Sequence, residues 1–163
     1  MISVSERVSI LAKAIIIILL LWLLNVLFIG IHELGHASLV LCFGAKICNM
    51  YISPIGYEGA TSYTSLTNQA QSSLVLMGGI LATTVATLVL YKLNIELAVY
   101  VLGLRTIESL FNFSRGSDMA SLIILAGHWA YIGSLLLIGF TSICLWHTVY
   151  ENRIKASHSI QAR

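Results

Sequence analysis

Five consecutive residues, His32-Glu33-Leu34-Gly35-His36, have types and spacing suited to metal chemistry. Residues four apart on an α-helix share a face, so the two imidazoles can grip one ion. Neutral imidazole is a common ligand of zinc, bound at roughly 2.0–2.1 Å. Glu33 follows the first histidine directly, which puts a carboxylate beside water that the ion acidifies. The bland alternative is a polar patch between packed helices. Two histidines and a carboxylate in so apolar a segment cost several kcal/mol unless they are paired or liganded.

A catalytic zinc keeps three protein ligands and one open position, so a third ligand must come from elsewhere. Asp118 is the best candidate, an acidic residue directly after the Ser114-Arg115-Gly116-Ser117 break. Its competing role is to cap the helix that follows. Glu108 is the rival ligand, with Asn112 one turn further along the same face. His128 and His147 read as interfacial side chains.

The elements that must position these groups are membrane elements. Of 163 residues, 58% are hydrophobic and only 10% are charged, against roughly a quarter charged in soluble domains. The mean hydropathy is +0.89. A soluble chain of this length cannot bury so much apolar sequence, so lipid must be the solvent for much of it. The sequence therefore predicts an α-helical polytopic, multi-pass integral membrane protein forming a single domain over 1–163. About four transmembrane helices are expected, at about 11–43, 71–91, 95–113 and 129–149. The apolar stretch at 117–127 is either a re-entrant segment or the first half of the last helix. The run from Ala14 to Ile31 is too long for a signal peptide and reads as a retained transmembrane helix.

The stretch at about 46–64 differs in character. It holds Pro54, the single proline, and an alternating run rich in strand formers, Lys46 to Ile52. Ser53-Pro54-Ile55-Gly56 reads as a turn, and Gly59 to Thr64 can return as a second strand. A small β-hairpin at the membrane interface is the expectation. Gly78 and Gly79 would let two helix backbones approach closely. The net charge of +2 comes with no basic, aromatic-interleaved cluster, which excludes a nucleic-acid partner. Three cysteines, Cys42, Cys48 and Cys144, form no disulfide framework and read as packing residues.

At these residues the sequence resembles the site-2 protease family of intramembrane zinc metalloproteases, as a compact, divergent member. His32-Glu33-Leu34-Gly35-His36-Ala37 looks like the family's metal helix. The segment after Gly44 is similar to its membrane-associated sheet, Met77-Gly78-Gly79 to the glycine motif of its next core helix, and Asn112 to Asp118 to its N-x-x-P…D-G motif. The pattern departs at Arg115, where the family has proline, at Met119, where it has glycine, and in a shorter Asn-to-Asp separation. The resemblance implies one zinc per chain held by His32, His36 and Asp118, with Glu33 as general base. It implies that Asn112 positions the substrate backbone or the oxyanion, a task Arg115 could share.

The expected function is zinc-dependent endoproteolysis in or near the transmembrane segments of a protein substrate. Helical carbonyls there are already hydrogen-bonded, so the substrate must unwind. The hairpin edge is suited to hold it as an added strand. The alternatives are a gluzincin-like membrane hydrolase using Glu108 and a non-catalytic metal-binding membrane scaffold. Glu33 argues against the scaffold, because a structural site needs no base. Arg7, Lys13, Arg153, Lys155 and Arg163 sit near the two termini, which places both in the cytoplasm. The family's active site opens to the cytoplasm, which would put the His36 end there instead.

Overall fold

The computed structural model describes residues 4–56 and 58–161. Arg163, one of the terminal basic residues, lies outside them. The described residues form five helices and one hairpin: α1 (Val4–Cys42), β1 (Ile47–Ile52), β2 (Gly59–Tyr63), α2 (Gln69–Lys92), α3 (Glu96–Phe111), α4 (Asp118–Ala126) and α5 (His128–Gln161). Among the described residues, three helices are long and apolar enough to cross a membrane: α1, α2 and the first 24 residues of α5.

α1 has two unlike parts. From Val8 to Leu23 every residue is exposed, as suits contact with lipid. From Phe28 onward the buried positions are 28, 29, 32, 33, 36, 37 and 40. That three-to-four spacing is one helical face, and it packs on α2. The two helices run antiparallel: Leu24 and Phe28 share a cluster with Ala86 and Leu90, and His36 meets Val75 further along. Gly35 and Gly78 set the closeness of the pair. A Cβ on Gly35 would fall on the carbonyl oxygen of Gly78, and one on Gly78 would come 2.8 Å from the Gly35 oxygen. This close approach needs glycine on both helices.

α3 returns antiparallel to α2, since Leu102 packs near Ala86 and Leu90 while Leu110 packs on Ile80. α4 then continues in the direction of α3. Asp118 lies beside His32 and His36, and Leu125, near the helix end, accepts a 2.7 Å hydrogen bond from Gln69 at the start of α2. α3 and α4, with 16 and 9 residues against 24 in α2, make one traverse of the bundle, broken at 112–117. The expected third helix at 95–113 stops at Phe111 because Asn112 starts a turn: its Oδ1 accepts from the backbone N–H of Ser114 at 3.1 Å and from its hydroxyl at 2.6 Å. The apolar stretch after Asp118 is a helix of its own, and Gly127 at φ 58° separates it from α5. α5 turns back along the bundle and reaches Tyr91 through His147. The amino end of α1 and the carboxyl end of α5 therefore lie at the same end of the bundle.

The expected hairpin is present. β1 and β2 pair antiparallel, with Met50 opposite Thr61, Ile52 opposite Gly59 and a bulge between Ile47 and Asn49. Ser53 and Gly56 close the turn through a 2.9 Å bond, with Gly56 at φ 74°. Gly59, Thr61 and Tyr63 on β2 are partly buried while Ala60 and Ser62 face outward, the two-residue alternation of a half-covered strand. Trp22 donates to the Pro54 carbonyl at 3.0 Å and Asn25 to that of Gly56, which pins the turn to α1.

The apolar interior contains several hydroxyls, and these are satisfied within their own helices. Thr83 and Thr84 donate to Ile80, Thr87 to Thr83, Thr106 to Leu102 and Ser134 to Ala130. Such back-bonding satisfies a buried donor without a partner across the bundle. His32, Glu33 and His36 instead reach across to other elements. Of the cysteines, Cys144 is buried in the bundle, whereas Cys42 and Cys48 are exposed.

Candidate metal centre

The two histidines of α1 meet the break between α3 and α4. Nε2 of His32 lies 2.8 Å from Oδ2 of Asp118, and Nε2 of His36 lies 3.0 Å from the same oxygen. One ligand atom from each of the three residues falls within 4.8 Å of the others, so the group could hold a metal ion. Asp118 is free to take part because it does not cap α4. Ser117 is the cap, accepting from the Ala120 N–H at 3.2 Å, and its hydroxyl also donates to the Asn112 carbonyl at 2.7 Å. Asp118 is thus the first helical residue, with its carboxylate turned to the histidines.

The donor chemistry fits a metal. Nδ1 of His36 donates to the Val75 carbonyl at 2.6 Å. A carbonyl can only accept, so Nδ1 carries a proton and Nε2 is the ring nitrogen left to serve as a metal ligand. Nδ1 of His32 is buried with no partner among the described residues, so packing orients that ring. Phe28 lies 5.9 Å away, centroid to centroid. On the other side Gly79 leaves the space: a Cβ there would sit 2.5 Å from the His32 Nε2. Gly78 spaces the helices and Gly79 makes room for the His32 ring.

Glu33 is only 5% exposed and faces β2, where Thr61 donates from Oγ1 to its Oε2 at 2.6 Å. A cavity of about 600 Å³ opens over this group. Asn112 and Arg115 line it, both exposed, as do Tyr63, Arg105 and Glu108. Burial and the charge of Asp118 push the Tyr63 phenol above its ordinary value, so it remains a neutral hydroxyl.

Glu108 does not join the histidines. It pairs with Arg105 one turn back on α3, and Arg105 lies over the Phe28 ring at 5.5 Å. His128 stacks beside Trp129 at 5.1 Å, and His147 sits at the far end of the bundle against Tyr91. Thr61, Gly59 and the Val75 carbonyl were missed by sequence reasoning. The alternation of β2 marks 59, 61 and 63 as one face, but nothing local says that this face meets Glu33, nor which α2 carbonyl the His36 ring will find. In comparisons with protein-family models, curated proteins and solved structures, nothing matches the chain.

Proposed function

We propose that the protein is a zinc-dependent intramembrane endopeptidase, of the site-2 protease type that its motifs resemble. The observation that carries this reading is the convergence of His32 Nε2, His36 Nε2 and Asp118 Oδ2 inside an apolar bundle, next to a buried glutamate. Two imidazoles and one carboxylate are a donor set of catalytic zinc, which leaves a position open.

His32, His36 and Asp118 would hold the ion. Zinc bound there supplies Lewis acidity, polarising a peptide carbonyl and acidifying water. Glu33 accepts the water's proton on a carboxylate oxygen and returns it to the leaving amine nitrogen. Asn112 and Arg115, on the cavity wall, are placed to bind the substrate backbone or the charge that develops on its carbonyl oxygen. The hairpin holds the unwound segment of a transmembrane substrate as an added strand.

The broken α3–α4 traverse supports a membrane setting for this chemistry. Taken as the fourth crossing, it returns both described ends of the chain to one side. Non-helical backbone at membrane depth is tolerated where it lines a water-filled cavity, and residues of the 112–117 break line the cavity over the histidines. Glu108, which a gluzincin-like site would require, is engaged with Arg105.

The test is Glu33→Gln in proteoliposomes with a model transmembrane substrate. The amide is nearly isosteric but cannot take a proton. Zinc content should stay at the wild-type level while cleavage falls by at least about a hundredfold. Cleavage by Glu33→Gln at the wild-type rate would overturn the reading.

A further inference from the structure

Glu33 is held by the hairpin as well as by its own helix. A glutamate on a helix retains a broad choice at its terminal torsion, so something else must fix which oxygen faces the cavity. Two residues of β2 close on it. Thr61 Oγ1 lies 2.6 Å from Oε2 and 3.4 Å from the Glu33 backbone carbonyl. The shorter contact is in the range of a hydroxyl donating to a carboxylate. Gly59 lies two residues earlier on the same face of the strand. A Cβ there would come 2.7 Å from Oε1, 2.8 Å from Cγ of Glu33 and 2.6 Å from Cγ2 of Ile29. One strand therefore binds one oxygen of the carboxylate and leaves room for the other.

We propose that Thr61 is a positioning residue for Glu33: with Gly59 it fixes the carboxylate so that Oε1 is the oxygen left to accept a proton. The hairpin is then part of the proton-transfer apparatus as well as the place where substrate docks, and the base is set only when β2 is seated on α1. Gly59 and Ile52 pair across the strands, and Ile52 packs into the cluster of Phe28 and Ile29. The strand is thereby anchored one turn of α1 before the base.

The rate consequence rests on the hydrolase reading, but the contact itself does not, so two measurements separate them. The first is a thermal double-mutant cycle on the purified chain. Thr61→Val, which keeps shape and removes the hydroxyl, should lower Tm by about 2–4 °C in the wild-type background and by much less in a Glu33→Ala background. An equal drop in both would show that Thr61 does not act through Glu33. The second is cleavage in proteoliposomes. Thr61→Val should lower kcat by about ten- to a hundredfold with KM and zinc content near wild type, and Thr61→Ser should recover most of it. A wild-type kcat for Thr61→Val, or a change confined to KM, would overturn the proposal. If the wild-type chain cleaves nothing, the hydrolase reading fails, and the thermal cycle alone then decides whether Thr61 holds Glu33.

Discussion

Two clusters at opposite ends of the bundle combine histidine with a carboxylate, and they differ in everything except spacing. In both, two polar residues four apart share a helix face: His32 and His36 on α1, His147 and Glu151 on α5. The α5 pair lies open. His147 is 52% exposed, its Nδ1 sits 2.5 Å from the Tyr91 hydroxyl and 3.4 Å from Glu151, and water can replace each contact. The α1 pair is buried and reaches a carboxylate more than 80 residues away in the chain. The spacing is easily met. A site also requires a third donor brought in by a break in another helix, glycines that leave room for the rings, and burial that keeps water from competing.

Several substitutions would break or sharpen this contrast. The largest effect is expected from His32→Ala or His36→Ala. Each removes a ligand outright, and metal affinity, read by competition with a chelator, should fall by more than about a hundredfold, beyond the loss typical of an outer-shell partner. Gly79→Ala comes next. Its Cβ would lie 2.5 Å from the His32 ring nitrogen, so the ring must move, and affinity should drop by roughly ten- to a hundredfold with the helices still formed by circular dichroism. Ser117→Ala removes the cap of α4 and the bond to Asn112. It should cost about 1 kcal/mol in stability, measured by denaturation, with a smaller loss of metal because Asp118 is less well placed. His147→Ala is the control at the other end. It should leave metal content unchanged and shift stability by less than about 0.5 kcal/mol.

How much was legible in the sequence follows from the range of each interaction. The histidine pair is set by helical periodicity within one turn, and the hairpin by alternation with a Ser-Pro-Ile-Gly turn, so both could be read locally. The third ligand could not be fixed, because Asp118 and Glu108 both lie near the break in an apolar run. Whichever faces the histidines depends on where α3 ends, and that is decided by the Asn112 turn and the Ser117 cap. A cap at Ser117 is as consistent with the sequence as one at Asp118, and only the fold separates them. The break at Ser114 to Ser117 could be read, but not that α3 and α4 on its two sides make one traverse, because hydropathy does not give the direction in which a helix runs. Thr61 was invisible for a different reason: strand alternation gives its face but not the helix residue opposite.

The most direct test of the account is the metal content of the purified full chain, by elemental analysis, alongside His36→Ala, Asp118→Ala and His147→Ala. Wild type and His147→Ala should carry about one zinc per chain, and the other two should carry almost none. A wild-type chain that is free of metal yet still cleaves a transmembrane substrate, or a His36→Ala protein that keeps a full equivalent, would contradict it.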